Sequence, residues 1–330
     1  MATLKTQSAF TVVQAGFLTT VQDLGRPGLQ RFGVSPGGAL DAHALRVANL
    51  LLANEENAAG LEITLGGLRI SLAAPRLVSW CGGDFEVKIG GAPFAPGRVG
   101  LVQAGQELFF NRANAGCRAW LALGGGIDVA HVLNSRSTDL RAAFGGFYGR
   151  PLRSGDIVPL RIDPPSFDAK QQQRIFSWSA PAGWARPAKA NPVLRFIRGA
   201  DWHRFTAVAR QALVSADFTV TPDSNRMGAR LDGPLLWRED RSDLISEAVA
   251  PGTIQVPPSG KPILLLGDCQ TIGGYPKIGN VITVDLPLAA QLCPGQRLRF
   301  REVAMSDAQQ LLLTRENEMS RFSVGVSLQH

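Results

Sequence analysis

The fold is decided by one stretch, residues 263–279, which reads ILLLGDCQTIGGYPKIG. Its first four residues are apolar, a run of strand length that predicts a buried β-strand. Polar residues follow at once. Two adjacent glycines, Gly273 and Gly274, let a backbone approach a ligand closely, and Pro276 stiffens the turn. The stretch therefore predicts a buried strand that ends in a polar loop.

Parts of this stretch, and of the sequence that precedes it, resemble earlier parts of the chain in the same order. Five short matches are offset by 183–186 residues: Val12–Gly16 with Phe196–Gly199, Val34–Pro36 with Val220–Pro222, Glu62 with Glu247, Gly83-Asp84 with Gly267-Asp268, and Gly90-Gly91 with Gly273-Gly274. Such ordered repetition is typical of an internal duplication. With 36 glycines and 21 prolines, it favours a mainly β protein built from two related units. We expect Pro36 and Glu62 to occupy positions equivalent to Pro222 and Glu247.

The predicted domain limits follow from the repeats and from composition. The chain is divided into a first β unit (1–160), a linker or surface excursion rich in Pro, Ala and Gln (161–190), a second β unit (191–305), and a C-terminal helix and tail (306–330). Helical periodicity is limited to Asp41–Leu52 and to the region after Ser306, which with Gln309 resembles a capping box. Val281–Val284 is among the segments predicted as strands.

Composition excludes several classes of protein. The net charge of +7 comes from basic residues spread along the chain without interleaved aromatics, so no nucleic-acid partner is expected. The first residues lack a secretory pattern, and no apolar run reaches the length of a membrane span. Four scattered cysteines without a C-x-x-C pair favour reduced thiols. A cytoplasmic protein is predicted.

Several catalytic templates are absent from the sequence. No glycine-rich phosphate loop is present, and the four histidines have no metal-ligand spacing. We therefore expect this chain to bind neither ATP nor a metal ion by itself.

Two polar loops of the first unit are candidate binding sites. Residues 16–28, GFLTTVQDLGRPG, carry Thr20, Asp23 and Arg26 between glycines, and Arg26 offers a planar fork for a carboxylate. The alternative is a turn whose Asp and Thr bond the local backbone. Residues 134–146 carry Arg136, Asp139 and Arg141, which suit an anion pocket. The alternative there is a solvated loop with a local ion pair.

The loop at 267–279 has the composition most typical of a catalytic site. Asp268, Gln270, Tyr275 and Lys277 are suited to hydrogen-bond an amide and to stabilise an oxyanion, with Gly273 and Gly274 beside the substrate. Cys269 is interpreted as a small buried filler in preference to a nucleophile. Glu62 and Glu247 are interpreted as structural residues, with a role at the site as the alternative.

These motifs resemble one known family, allophanate hydrolase subunit 2, a biotin-dependent carboxyltransferase family. The resemblance covers about residues 10–305 and rests on the following motifs: 16–28, 33–41, 61–64, 125–129, 135–146, Asn225–Gly228 and 273–278. The motif Asn225–Gly228 adds Arg226 to the substrate-binding candidates. Asn225 stands where the family usually has Asp, and Ile272 where it usually has Thr. The family includes the C-type subunit of 5-oxoprolinase, the kinase-inhibitor antagonist protein and half of the urea carboxylase carboxyltransferase domain.

The resemblance implies both a fold and a function. It implies two cyclophilin-like β-barrel units and a role as the C-type component of an ATP-dependent 5-oxoprolinase, inactive alone. The implied partners are a subunit-1-type protein, similar to the B-type component of 5-oxoprolinase, and a lactam-utilisation-type subunit. ATP would be used by the complex, and biotin, if used, would have to be carried on another chain. The alternatives are a carboxyltransferase subunit acting on urea and a regulatory protein that binds a kinase-inhibitor-like partner.

One expectation joins all three loops. We expect the following residues to border a single groove: Arg26, Asp139, Arg141, Asp268, Gln270, Tyr275 and Lys277.

Overall fold

The computed structural model describes residues 8–161, 175–186, 190–240, 242 and 244–328. Much of the predicted linker, residues 162–174 and 187–189, lies outside the described residues. The chain forms two compact units. The first unit takes its residues from 1–26, 41–188 and 321–330, and the second from 27–40 and 189–320. The chain therefore passes from one unit to the other more than once.

The first unit is built on one ten-stranded sheet. Its strands are β1 (Ala9–Ala15), β2 (Leu18–Gln22), β3 (Gly60–Thr64), β4 (Gly66–Leu72), β5 (Arg76–Ile89), β6 (Ala92–Pro93), β7 (Arg98–Val102), β8 (Glu107–Leu123), β9 (Ile157–Pro159) and β10 (Ile175–Ser179). The main path runs β10-β7-β5-β8-β4-β1-β9, while β3 also pairs with β8 and carries β2. Strand β10 lies within the stretch predicted as a linker, and it pairs antiparallel with β7.

Burial in this sheet follows the strand period of two. Strand β4 is buried at every second residue, as expected when one face meets a core. Every residue of β3 is buried, so both faces of this strand are covered, unlike those of β4. The core contains Trp80, whose ring packs edge-on against Phe110 with centroids 5.4 Å apart.

Among the described residues, two helices lie entirely within the first unit. Helix α1 (Ala42–Leu50) begins after Asp41, whose carboxylate accepts a hydrogen bond from the backbone N–H of Ala44 at 2.8 Å. This N-cap confirms the helix predicted at 41–52. Helix α2 (Ala182–Ala185) is a single turn.

The second unit is a closed barrel. Its strands are β11 (Val193–Arg198), β12 (Phe218–Val220), β13 (Gly228–Asp232), β14 (Glu247–Ala248), β15 (Thr253–Gln255), β16 (Ile263–Leu265), β17 (Ile272–Gly273), β18 (Lys277–Val281) and β19 (Arg297–Glu302). The barrel order is β11-β18-β15-β16-β13-β12-β19, and β14 pairs with β17 in a separate two-stranded ribbon. The buried rings of Phe196 and Phe218 pack edge-on against Phe300 in the core.

Three further helices are α3 (Ala207–Ser215), α4 (Leu286–Ala290) and α5 (Met305–Ser327). Helix α5 already contains Ser306, whereas an N-cap residue precedes its helix. The predicted capping role of Ser306 is therefore wrong. The strand predicted at Val281–Val284 is also wrong, because β18 ends at Val281 and a 3-10 turn follows at Thr283–Asp285. Asp285 is the last residue of this turn, and its carboxylate accepts three hydrogen bonds from Arg195.

The mainly β prediction is confirmed, and the second unit closes into a seven-stranded barrel. The matched residues of the two repeats have different surroundings. Pro36 belongs to the second unit, as Pro222 does, rather than to the first. Glu62 is buried in β3, while the side chain of Glu247 is 63% exposed in β14. The prediction of equivalent positions is therefore wrong for Pro36 and Pro222, and for Glu62 and Glu247 it stays a prediction.

Candidate functional site

Asp23 joins the two polar loops of the first unit. Its Oδ1 accepts hydrogen bonds from the hydroxyls of Ser135 and Ser137 at 2.7 and 2.6 Å. Its Oδ2 accepts from the backbone N–H of Arg136 at 2.6 Å. Asp23 is 1% exposed, so these bonds offset the cost of burying its charge. Asp23 therefore holds the 134–146 loop in place. This is closer to the alternative in which Asp23 bonds the protein's own backbone, although the bonded loop is distant in sequence.

Arg26 lies in the same buried cluster. Its Nη2 donates to the backbone oxygen of Ser137 at 2.5 Å, and its guanidinium stacks over the ring of Phe144 at 4.8 Å. Thr20 is also buried, and its hydroxyl accepts from Gln22 Nε2 at 3.1 Å. Arg26 thus contacts the 134–146 loop, and Thr20 contacts a neighbouring side chain of its own strand.

The remaining candidates of the first unit lie closer to solvent. The carboxylate of Asp139 accepts from the backbone N–H groups of Arg141 and Ala142, which makes a local turn. The side chain of Arg141 is exposed. Burial lowers the pKa of the Arg136 guanidinium, and the positive charge of Arg161 lowers it further. Arg136 and Arg141 therefore remain the first-unit candidates for binding an anionic group.

Glu62 is fully buried beside the strand that carries Thr20, since Glu62 and Thr20 pair across β3 and β2. Its Oε2 accepts from the indole N–H of Trp120 at 3.1 Å, and its Oε1 lies 3.7 Å from Arg118 Nε. These bonds fit the structural interpretation of Glu62.

In the second unit, Asp268 and Arg226 form a buried bidentate ion pair. Arg226 Nε donates to Asp268 Oδ2 at 2.8 Å, and Nη2 donates to Oδ1 at 3.0 Å. Nη2 also donates to the backbone oxygen of Gly38 at 2.7 Å. Asn225 makes a local turn, because its side-chain oxygen accepts from the N–H of Met227. The structure therefore brings together Arg226 and Asp268, two of the predicted residues, which are separated by 42 positions in sequence.

Lys277 begins β18 and is buried between two carboxylates. Its Nζ donates to Glu247 Oε2 at 2.6 Å and lies 3.8 Å from Asp201 Oδ2. Asp201 also accepts from the backbone N–H of Lys277 at 2.9 Å, which fixes the start of the strand. The hydrogen bond from Lys277 lowers the pKa of the Glu247 carboxyl. The Lys277 ammonium is therefore held in a fixed position, and one of its two carboxylate partners, Glu247, faces solvent.

Gln270 and Tyr275 meet at a third side chain, Gln255. Gln270 Nε2 donates to Gln255 Oε1 at 3.2 Å, and Gln255 Nε2 donates to the backbone oxygen of Tyr275 at 3.4 Å. Gln255 also lies opposite Lys277 in the pairing of β15 with β18. The loop residues therefore gather around the start of β18 as one cluster, which we call the β18 cluster: Asp201, Glu247, Gln255, Gln270, Gly273, Tyr275 and Lys277.

The glycines of this loop make room for the amides. A Cβ on Gly273 would lie 2.8 Å from Gln255 Nε2, closer than real contacts allow. A Cβ on Gly274 would lie 3.2 Å from the backbone oxygen of Leu244.

Cys269, in the same loop, is 1% exposed, and burial raises the pKa of its thiol to about 12. Few thiolates would form near neutral pH, which fits the interpretation of Cys269 as a filler.

Sequence reasoning missed Asp201 and Gln255. Gln255 left a signal, since it is a polar residue at the end of an apolar-flanked strand, and such a residue needs a partner when buried. Asp201 gave none, because it follows the strand β11, far in sequence from the loop it supports. The expectation that the first-unit and second-unit candidates border one groove stays a prediction.

Within the ranges that the structure describes, no group of three or more His, Cys, Asp or Glu side chains is arranged to hold a metal ion. None of the helices among these residues has both the length and the apolar character needed to cross a membrane.

Comparison with known proteins gives consistent matches along the chain. The carboxyltransferase domain, subdomain A and B, matches residues 32–302. The C-type subunit of the Escherichia coli (strain K12) 5-oxoprolinase is 37% identical over 298 residues, covering 90% of this chain and 92% of that protein. The protein of the same name from Haemophilus influenzae is 37% identical over 301 residues, covering 91% and 92%. The crystal structure of the K. lactis urea amidolyase superposes with a TM-score of 0.89 at 27% identity over 97% of this chain, which spans 20% of that one.

Proposed function

We propose a function for this chain from one premise: it belongs to the carboxyltransferase domain family, subdomains A and B. The proposed function is that of the C-type component of an ATP-dependent 5-oxoprolinase, which converts 5-oxoproline to glutamate. The observation that carries this proposal is the 37% identity to a C-type 5-oxoprolinase subunit over 92% of that protein's length. Such coverage leaves no large part of either chain unmatched.

The chemistry of the β18 cluster suits this substrate. 5-Oxoproline is a lactam that presents a ring N–H, a carbonyl oxygen and a carboxylate. The Lys277 ammonium is a donor for the carbonyl oxygen, which gains negative charge when the ring is attacked. The Gln270 amide, beside it in the cluster, is suited to the ring nitrogen. Arg136 and Arg141 of the first unit remain candidates for the carboxylate.

Other subunits complete the proposed enzyme. The partners are a subunit-1-type protein, similar to the B-type component of 5-oxoprolinase, and a lactam-utilisation-type subunit that would handle ATP. This chain has no phosphate-binding loop in its sequence and is proposed to be inactive alone. The predicted cytoplasmic location remains part of this proposal.

The test is reconstitution. We expect the chain co-purified with its two partners to form glutamate from 5-oxoproline only when ATP is present, and the chain alone to form none. In the complete complex, Lys277→Ala should lower turnover by about 10²-fold, the scale of losing one oxyanion donor. Lys261→Ala is a matched control, because Lys261 pairs on the surface with Asp232. Turnover by the isolated chain, or full activity of the Lys277→Ala complex, would contradict the proposal.

A second function is favoured by the superposition on urea amidolyase, whose TM-score is 0.89. The chain would then act on urea or a similar amide as a carboxyltransferase subunit, with biotin carried on another chain. The reconstituted complex, assayed with and without an added biotinylated carrier and its biotin carboxylase, separates the two functions. Carboxylation of urea that depends on a biotinylated partner, without glutamate formation from 5-oxoproline, would establish the second.

A further inference from the structure

The amide of Gln255 has a fixed orientation. Gln255 is 1% exposed, and its two amide ends face different partners. One end faces the backbone oxygen of Tyr275, which can only accept a hydrogen bond, so this end must be the NH2 group. The other end is then the oxygen, and it faces Gln270.

This orientation is passed on to Gln270. Since Gln255 presents an oxygen, Gln270 must present its own NH2 group to Gln255, at 3.2 Å. The oxygen of Gln270 is then its free end, and no hydrogen bond to it occurs among the described residues. Gln270 is only partly buried, so this oxygen is open to an incoming molecule.

We propose that Gln255 is a positioning residue that makes Gln270 a hydrogen-bond acceptor for the substrate's N–H group. This inference rests on the proposed function, and it names the chemical feature by which the β18 cluster selects an amide. The Gln270 oxygen accepts from the amide N–H, and the Lys277 ammonium donates to the carbonyl oxygen. A ring oxygen in place of the N–H would meet the Gln270 oxygen with its own lone pair and be rejected.

Gly273 leaves the space in which the amides of Gln255 and Gln270 meet. A Cβ at this position would lie 2.8 Å from Gln255 Nε2 and 3.4 Å from Gln270 Nε2. Its φ is not in the left-handed region, so Gly273→Ala would act by displacing the two amides and not through backbone strain. Gly273→Ala should therefore reproduce the effect of losing Gln255 while both amides are kept.

The experiment compares 5-oxoproline with its lactone analogue, in which oxygen replaces the ring N–H, using the reconstituted complex. In Gln255→Met, Gln270 is free to turn and to present its NH2 group. The KM for 5-oxoproline should rise about tenfold, the scale of one hydrogen bond. The inhibition constant of the lactone should fall. A purely structural defect would weaken both ligands, so opposite shifts are the diagnostic result.

Two further variants keep the test decisive if Gln255→Met does not fold. Gly273→Ala should give the same opposite shifts. Gln296→Met should leave both constants unchanged, because the Gln296 amide bonds Cys293 and Ala190 outside the cluster. Unchanged constants in both Gln255→Met and Gly273→Ala, or parallel weakening of both ligands, would overturn the inference.

The wild-type complex reports separately on the proposed function. If it opens no 5-oxoproline, that function has failed, and the orientation of Gln270 is then tested with binding of urea and of dimethyl carbonate, in which oxygen replaces both nitrogens. Opposite shifts between these two ligands in Gln255→Met would support the inference, and parallel shifts would overturn it.

Discussion

At the scale of single residues, the charged groups of the second unit differ in the partners that they bond and in the exposure of those partners to solvent. Arg226 and Asp268 are both nearly inaccessible and satisfy each other through two hydrogen bonds. Arg226 also ties the 27–40 segment to the barrel through the oxygen of Gly38. Lys277 instead shares its ammonium with Glu247, which faces solvent. The first pair is enclosed by the protein on both sides, whereas the carboxylate of the second pair is accessible to solvent.

This difference predicts a stability effect. Asp268→Asn leaves the buried Arg226 without its counter-charge, and removing one partner of a buried pair costs about 3–5 kcal/mol. We expect a loss of this size in the free energy of unfolding, measured by urea denaturation of the isolated chain. Replacing both residues together, as in Arg226→Met with Asp268→Leu, should cost much less.

The exposed pair Lys261–Asp232 is the matched control, with a separation of 2.9 Å. Asp232→Asn should change stability very little, because solvent screens an exposed pair. If Asp268→Asn were as mild as Asp232→Asn, the structural interpretation of the buried pair would be wrong.

The residue scale also shows how far sequence reasoning reaches. The sequence singled out Asp268 and Arg226 separately, from a polar loop and from a motif, but not as partners. Arg226 lies in the turn before β13 and Asp268 in the turn after β16, and nothing local joins them, since the pairing of these strands is set by the whole fold. In the same way, the sequence marked Lys277 but not Asp201, whose carboxylate binds both its backbone and its side chain.

At the scale of elements, the 134–146 loop is shaped by glycines and buried hydroxyls. Gly146 has a φ of +54°, and a Cβ there would lie 1.8 Å from Thr138 Oγ1. Thr138 is itself fixed, since its hydroxyl donates to the backbone oxygen of Val21 at 3.0 Å. The sequence singled out this loop by its polar residues, but only the fold shows that Ser135 and Ser137 face Asp23 instead of solvent.

We therefore expect Gly146→Ala to lower the free energy of unfolding by about 1–3 kcal/mol through overpacking, in addition to the strain of a positive φ. Gly105→Ala is the matched control, because Gly105 has a φ of +75° but no atom within 4 Å of its would-be Cβ. The control measures strain alone, and thermal melts of the two variants give the difference. Equal melting temperatures would show that the loop yields to the added methyl group.

At the scale of the whole molecule, the order of the chain does not follow the division into units. Residues 27–40 belong to the second unit although they lie between two parts of the first, and residues 321–330 belong to the first unit. The duplication in the sequence suggested two consecutive halves. Local motifs carry no information about such an exchange of segments, which depends on where the distant strands lie.

The exchange predicts that neither half of the chain is self-sufficient. A fragment of residues 189–330 would lack the 27–40 segment, and with it the Gly38 oxygen bonded by Arg226 and the Ser35 hydroxyl that donates to the Cys269 oxygen at 2.7 Å. A fragment of residues 1–188 would lack Phe322, whose ring packs on Trp184 with centroids 5.6 Å apart. Each fragment would also expose apolar surface that the intact chain covers, at a cost of about 25 cal/mol per Å².

We expect each fragment alone to be poorly soluble or to melt without cooperativity, and the two co-expressed fragments to purify together. A fragment of residues 189–330 joined through a flexible linker to residues 27–40 should regain a cooperative melt, because the missing segment is restored to its unit. The same fusion carrying Gly38→Pro in the restored segment is the matched control, since the rigid ring disturbs the backbone whose oxygen Arg226 binds. A fragment of residues 189–330 that melts as cooperatively as the fusion would show that the segment is not part of the second unit's folding core.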